Sequence, residues 1–242
     1  MNREYHKWFS NHLNREMELL VFGHGGRAVI LFPTRMARFY DYENWGIVNA
    51  LSNQIEQGDL QLFCVDSIDG ESFYNEDVFP SVRIDRHLQY EKYLLDEVLP
   101  LIYQKGNTEW VETAGFSMGA YHAVNLAMKH PYLFRKTVGI SGRYDLTHST
   151  PPFEDLLSGF RNELTYFNMP EQYLQNLQDD SFISQIKEME IILAVGETDP
   201  FLESNQTLSQ LLWRKGIVNQ FYTWDNDAHR PHYWRKMAPL YI

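Results

Sequence analysis

A serine between two glycines is the feature of this sequence that most directly suggests chemistry. Gly115-Phe116-Ser117-Met118-Gly119 follows an apolar, strand-like run and opens a helical one, so it forms a G-x-S-x-G pattern in a strand-to-helix context. A serine at such a sharp turn holds its hydroxyl clear of the backbone. The flanking glycines remove Cβ atoms that would obstruct the close approach of strand and helix. Ser117 is therefore predicted to be a nucleophile.

An activated serine also requires an acidic side chain that orients its base. With a nucleophile of this kind, the acid and then the histidine follow later in the chain. The segment GETDPF comes directly after the strand-like run MEIILAV. Asp199 is the predicted acid, because the preceding glycine leaves the turn room to direct this carboxylate at the site. Glu197 stays an alternative, as does a purely structural Asp199 that caps its own turn before Pro200.

Two histidines could serve as the base. Of the nine histidines in the chain, only His229 and His232 follow the acidic turn. Pro231 is a suitable first residue of a helix, which leaves His229 in a loop and puts His232 in the first helical turn. The loop position favours His229 as the base. Pairing of either histidine with Asp225 or Asp227 is the non-catalytic alternative.

Composition narrows the class of protein. The chain has 242 residues and a formal net charge of −11, which disfavours binding to a nucleic-acid backbone. Its one cysteine, Cys64, lies in an apolar run and permits no internal disulfide. No signal peptide or membrane-length apolar run is recognisable, so a cytoplasmic protein is expected. No metal or cofactor is expected, and the oligomeric state is not readable.

The order of elements predicts an α/β fold. Strand-like runs and amphipathic helical runs alternate after an opening pair of strands, a pattern typical of a mostly parallel sheet with helices on both faces. The opening pair is predicted to be an antiparallel hairpin, in which the GHGG segment at positions 23–26 is the turn. Residues 143–187 carry short helical patterns and no strand, so they are predicted to be a lid-like helical insertion in a single domain. A structural excursion is the alternative.

The oxyanion donors are predicted from their place after a strand. One is the backbone amide of Met118, the residue after the nucleophile, and the other is an amide of Arg35 or Met36 in the PTRMARFYD segment. The GHGG segment resembles an oxyanion motif but precedes its strand, which argues against that role. Several aromatic residues near the predicted site are candidates for substrate binding, with core packing as the alternative: Phe39, Tyr40, Trp45, Phe73 and Tyr74.

With these residues, the sequence resembles those of the esterase branch of the α/β-hydrolase superfamily. This branch includes S-formylglutathione hydrolases, feruloyl esterases and mycolyltransferases. The resemblance rests on GFSMGA around Ser117, on GETDPF around Asp199 and on HRPHYWRK, which keeps His229 and Trp234 at the family's separation. It extends over nearly the whole chain. It implies the α/β-hydrolase fold and strengthens His229 over His232.

Two departures from that family pattern bear on the substrate more than on the catalytic residues. Pro33-Thr34 replaces a common His-Gly after the strand, and Arg230-Pro231 replaces an Asp-Trp. The predicted function is hydrolysis of a small-molecule carboxylic ester with a small or medium acyl group. The alternatives are an acyltransferase that uses the same acyl-enzyme and a hydrolase scaffold retained for binding.

Overall fold

The computed structural model describes residues 1–106, 108 and 110–242. Among these residues, eight strands form one sheet in the order β1-β2-β4-β3-β5-β6-β7-β8. The strands are β1 (Arg3–Ser10), β2 (Arg15–Phe22), β3 (Arg27–Phe32), β4 (Leu60–Val65), β5 (Val111–Phe116), β6 (Phe134–Ile140), β7 (Glu190–Gly196) and β8 (Gln220–Trp224).

The sheet is parallel except at its N-terminal edge. β1 pairs antiparallel with β2 and β2 antiparallel with β4, whereas the pairs from β4 to β8 are all parallel. The predicted fold class is confirmed, but the predicted pairing of the opening hairpin is wrong. β4 lies between β2 and β3, so the GHGG segment is no hairpin turn and the hairpin is formed by β1 and β2.

Helices cover both faces of the sheet. They are α1 (Asp41–Asn44), α2 (Ile47–Ala50), α3 (Ser52–Gln57), α4 (Pro80–Tyr93), α5 (Leu99–Gly106), α6 (Met118–Lys129), α7 (Glu163–Tyr166), α8 (Pro170–Asn176), α9 (Asp180–Lys187), α10 (Leu202–Arg214) and α11 (Pro231–Tyr241). Successive residues of β3 point to opposite sides. Ile30 therefore belongs to the apolar cluster on one face and Leu31 to the cluster on the other.

Helix boundaries follow local sequence signals. Gly58 ends α3 in a left-handed conformation with φ +79°, and Pro231 begins α11. Leu94–Val98, between α4 and α5, is π-helical. Pro100 follows this segment within one turn and has no amide hydrogen to donate to the preceding turn, which explains why the irregularity lies there.

Three short helices lie between β6 and β7, in the segment predicted to be an insertion. Its apolar side chains Leu146, Leu157 and Met169 are buried together with Met118 and Tyr121 of α6. The segment therefore packs against the helix that begins at the predicted nucleophile. This packing places it beside the carboxyl ends of the central strands.

Candidate active site

Ser117 lies at a turn with an unusual backbone conformation. β5 ends at Phe116, α6 begins at Met118, and Ser117 between them has φ +56°. A Cβ atom on Gly115 would come within 2.2 Å of the backbone of Gly119, and a Cβ on Gly119 within 2.2 Å of the Phe32 carbonyl oxygen. Both positions therefore require glycine, and their close contacts hold the strained serine at the carboxyl edge of the sheet.

A continuous chain of hydrogen bonds joins the three predicted catalytic side chains. His229 Nε2 lies 2.9 Å from Ser117 Oγ, and His229 Nδ1 lies 3.0 Å from Asp199 Oδ2. The Asp199 carboxylate is fully buried, whereas the imidazole is 20% exposed. Asp199 Oδ1 accepts a hydrogen bond from the Phe201 amide at 2.9 Å, which fixes the orientation of the carboxylate. This arrangement can transfer a proton from a serine hydroxyl to an imidazole.

The loop that carries His229 follows β8 and is held close to the acidic turn. A Cβ atom on Gly196 would lie 2.1 Å from the Asp227 carbonyl oxygen, so only glycine permits this approach of the two loops. Ala228 has φ +49°, and this turn directs the next side chain inward. The rings of Phe201 and Trp234 lie 5.5 Å and 5.6 Å from the imidazole, measured between centroids, and limit its rotation.

The two alternatives weighed from the sequence lie away from this chain of hydrogen bonds. His232 is exposed and packs against Tyr233, with ring centroids 4.1 Å apart. Glu197 is exposed as well, and its amide donates to the Trp224 carbonyl. The structure brings neither side chain to Ser117.

Three residues were predicted to supply oxyanion donors, and their amides differ in availability. The Met36 amide donates to Asp69 Oδ2 at 3.0 Å, so it is already engaged. Within the described chain, no hydrogen bond uses the amides of Met118 or Arg35. These two amides are therefore available to a ligand at Ser117.

A cavity of about 290 Å³ opens at the serine. Its wall combines the nucleophile and base with apolar side chains and two arginines. The lining residues are Thr34, Arg35, Tyr74, Ser117, Met118, Arg143, Leu146, Phe153, Phe201, His229 and Trp234.

Comparisons with known proteins agree on the family. The sequence profile of the family described as "Putative esterase" matches residues 41–233. The chain belongs to this esterase family. Among curated proteins, none matches the sequence at a significant level. The predicted resemblance and the predicted enzyme class, a carboxylic-ester hydrolase, are confirmed.

Solved structures share the fold of the esterase at low sequence identity. A ferulic acid esterase has a TM-score of 0.77 and 17% identity over 98% of this chain and 94% of its own. An S-formylglutathione hydrolase from Staphylococcus aureus has a TM-score of 0.68 and 16% identity over 98% and 94%. An enterobactin esterase from Shigella flexneri has a TM-score of 0.66 and 17% identity over 97% of this chain and 56% of its own.

The aromatic residues predicted to bind substrate lie in different places. Tyr74 lines the cavity of the esterase. Phe39 packs against Tyr5 and Tyr40 near the N-terminal edge of the sheet. Trp45 is half-buried and packs against Tyr42 and against Trp234, which lines the cavity. None of Phe39, Tyr40 and Trp45 lines the cavity at Ser117, so their role in substrate binding stays a prediction. Phe73, also named as a candidate, is buried against Tyr121.

Sequence reasoning did not assign six residues of the cavity wall to the site. Thr34 and Trp234 entered only through the comparison with the family pattern, and Arg143, Leu146, Phe153 and Phe201 were not identified at all. Arg143 comes shortly after β6, whose carboxyl end lies at the same edge of the sheet as Ser117. Residues that follow parallel strands meet at this edge, and that rule could have identified Arg143. Phe201 follows the predicted acid by two positions, which is a second usable signal. Leu146 and Phe153 depend on the path of a long loop and have no comparable signal.

Neither a metal site nor a membrane span is found in the described part of the esterase. No group of three or more His, Cys, Asp or Glu side chains there is arranged to hold a metal ion. In the same residues, no helix has both the length and the apolarity to cross a membrane. Burial raises the pKa of the Cys64 thiol well above its usual range, so this side chain is a poor nucleophile.

Proposed function

We propose that this esterase is a serine hydrolase in which Ser117, His229 and Asp199 form the catalytic triad. The observation that carries the proposal is the unbroken pair of hydrogen bonds, 2.9 Å from Ser117 to His229 and 3.0 Å from His229 to Asp199. A triad is recognised by such geometry and by the role of each side chain. The burial of Asp199 and its amide contact support its role as the orienting acid.

The acylation half-reaction follows from these positions. Ser117 Oγ attacks the ester carbonyl carbon while its proton passes to His229 Nε2, and the carbonyl oxygen becomes an oxyanion. The Asp199 carboxylate stabilises the imidazolium and keeps the proton on Nδ1 in place. When the intermediate collapses, the bond to the alcohol oxygen breaks and His229 Nε2 protonates the leaving alcohol. An acyl-enzyme remains on Ser117.

Water completes the cycle by the same route. His229 removes a proton from water as the water oxygen attacks the acyl carbon, and the proton then returns to Ser117 Oγ. The products are the carboxylic acid and the free enzyme. In both halves the amides of Met118 and Arg35 are the proposed oxyanion donors, which is supported by the absence of any other acceptor for them among the described residues.

A small or medium acyl group suits the cavity. Its volume of about 290 Å³ lies just below the range typical of ligand pockets, roughly 300–1,000 Å³. The apolar part of the wall, including Leu146, Phe153 and Trp234, can contact an acyl chain. We propose that this part binds the acyl group.

We further propose that the chain is one domain in which residues 143–187 form a helical cover of the site. Leu146 and Phe153 of this segment line the cavity. The burial of Leu157 and Met169 against α6 supports a cover that belongs to the same core.

The test is covalent labelling with a fluorophosphonate, followed by mapping of the adduct by mass spectrometry. We expect one adduct on Ser117, complete loss in Ser117→Ala, and a loss of several orders of magnitude in labelling rate in His229→Ala. His232→Ala is the matched control, because it removes an exposed histidine next to the site, and it should label like the wild type.

Other outcomes would change the assignment. Labelling that survives in His229→Ala but is lost in His232→Ala would make His232 the base. A folded protein without any adduct would exclude an activated Ser117. Adding an acceptor alcohol to the ester assay tests the acyltransferase alternative, since transfer product that outruns hydrolysis would replace the hydrolase proposal.

A further inference from the structure

Two arginines lie in the wall of the active-site cavity. Arg35 follows β3, and Arg143 follows β6 and is only 6% exposed. The guanidinium carbon of Arg35 lies 5.8 Å from the centroid of the Tyr74 ring. Burial raises the pKa of the Tyr74 hydroxyl, and the charges of both Arg35 and Arg143 oppose that rise. Both cations therefore act on the same part of the cavity.

The hydrogen bonds of Arg143 leave part of its guanidinium unused. The two hydrogens of Nη2 are shared among three backbone carbonyls, those of Leu146 at 3.2 Å, His148 at 2.6 Å and Glu154 at 2.8 Å. Nε is buried and has no partner. A buried charged donor without an acceptor is costly, so one that persists beside a catalytic serine calls for a functional explanation.

No acidic side chain neutralises these two cations directly. Among the described residues, no carboxylate lies within 4.0 Å of either guanidinium, and the cavity wall contains neither Asp nor Glu. Asp145 is close in sequence to Arg143, but its oxygens accept from Thr147 and Gln172. The cavity wall is thus cationic in a chain of net charge −11, and the Asp145 and Asp155 charges that act on Arg143 lie outside this wall.

We propose that the preferred substrates of this esterase carry a second, anionic group, a carboxylate or a phosphate, that is bound by Arg35 and Arg143. A guanidinium offers planar, paired donors that match both kinds of oxyanion. Among the described residues, Nη1 of Arg143 and the guanidinium of Arg35 donate to no protein group, so these donors are open to an incoming anion. The overall negative charge of the protein would otherwise repel such an ester. This inference rests on the proposed hydrolysis at Ser117.

Matched pairs of esters that differ only in the anionic group test the inference. One pair is para-acetoxybenzoate and its methyl ester, and another is para-acetoxyphenyl phosphate and its dimethyl ester. A third pair, para-nitrophenyl hydrogen adipate and its methyl-capped form, moves the charge to the acyl side. The measured quantity is the ratio of kcat/KM for the anionic ester to kcat/KM for its neutral partner.

Arg35→Gln is the informative variant, because Arg35 is exposed and its replacement is compatible with folding. We expect the ratio to fall about tenfold in Arg35→Gln for at least one pair, the loss typical of a hydrogen bond to a charged group. Added salt should lower the wild-type ratio as well. Arg214→Gln makes the same charge change at an exposed position at the end of α10 and should leave the ratio unchanged.

The outcomes separate this inference from the proposed function. The pair with the largest change identifies the bound anion and the side of the ester that carries it. If all neutral esters are hydrolysed but every ratio stays within twofold of the wild type in Arg35→Gln, the anion site is refuted and the serine mechanism stands. If no ester is hydrolysed and Ser117 takes up no fluorophosphonate, the proposed function fails first.

Discussion

At the scale of single residues, the buried Asp199 carboxylate is the side chain whose role can be tested with the smallest change. Asp199→Asn keeps the shape but removes the charge that stabilises the imidazolium, and it favours the wrong tautomer of His229. We expect kcat for para-nitrophenyl acetate to fall about 10⁴-fold with little change in KM. Glu197→Gln, on the same turn but exposed, should keep wild-type kcat. A loss below tenfold in Asp199→Asn would remove Asp199 from the mechanism.

The residues that meet at Ser117 differ in how far the sequence predicts them. The nucleophile is predictable because strand, glycines and helix all impose a local pattern. The acid and the base are predictable from their order along the chain and from the family resemblance. The positions of the aromatic candidates after β3 are not predictable from the sequence. The segment after β3 turns toward the edge of the sheet, where Asp66 binds both the Arg38 side chain and the Phe39 amide. That turn depends on a carboxylate that directly follows another strand, β4.

At the scale of elements, a buried carboxylate joins the loop after β3 to the helix after β5. Asp69 Oδ2 accepts from the Met36 amide at 3.0 Å, and Asp69 Oδ1 lies 3.2 Å from His122 Nε2 on α6. Both oxygens are thus used, and the carboxylate is 2% exposed. Asp69 is a positioning residue in this arrangement, because it fixes the loop that carries the proposed Arg35 oxyanion amide.

Asp69→Asn should therefore lower kcat more than it raises KM. The amide group can accept on one side only, so it keeps both contacts only if His122 Nε2 becomes an acceptor for the new NH2 group. Loss of the negative charge also weakens the Met36 contact, so the loop is held less firmly at the oxyanion. We expect kcat to fall about tenfold, a modest share of the effect of deleting an oxyanion donor. Asp77→Asn, an exposed change in the following loop, is the control. A variant with a higher KM and unchanged kcat would mean that Asp69 serves binding or folding instead.

The elements themselves were predictable where a pattern is strong. Buried strands such as β4 and β5 are mostly apolar or small-residue runs, interrupted by Gln61 in β4 and Glu112 in β5. Gly58 and Pro231 mark helix ends. β1 was missed because its side chains alternate between exposed and half-buried positions at the edge of the sheet, which leaves no apolar run. Because β1 was not predicted, β3 was the next strand along the chain that could pair with β2. The sequence therefore predicted a hairpin of β2 and β3 in place of the hairpin of β1 and β2.

At the scale of the whole molecule, the parallel sheet brings distant parts of the chain to one edge. Ser117, Asp199 and His229 follow β5, β7 and β8, which lie on the same side of the sheet order. The fold class alone therefore predicts that these residues share an edge. It does not predict contact, because the contact depends on close approaches such as that of Gly196 to Asp227.

A carboxylic acid links the segment of residues 143–187 to the rest of the molecule. Glu171 on α8 accepts a hydrogen bond from Ser204 Oγ on α10, and Ser204 Oγ in turn accepts from the Tyr144 amide at 2.8 Å. Burial raises the pKa of the Glu171 carboxyl to about 7, and the charges of Asp145 and Glu203 add to this effect. Glu171 is therefore largely protonated in the folded protein below neutral pH.

The stability of the molecule should accordingly depend on pH through this side chain. A folded-state pKa above the unfolded one stabilises the fold at low pH, and this contribution is lost as the pH rises from about 4.5 to about 7. Glu171→Gln stays neutral throughout. It should match the wild type near pH 4.5 and be more stable above pH 7.5 by about 2 kcal/mol, allowing for partial exposure of the carboxyl.

Urea unfolding from pH 4.5 to pH 8.5 measures that difference, with Glu163→Gln as the control, since it removes an exposed carboxylate from the same segment. The gap between Glu171→Gln and the wild type should widen with pH and then level off, whereas the control should show no such trend. A constant gap would mean that Glu171 stabilises or destabilises only through packing. A gap that reverses, with the wild type more stable at high pH, would mean that the ionised carboxylate is the form that joins the two parts of the molecule.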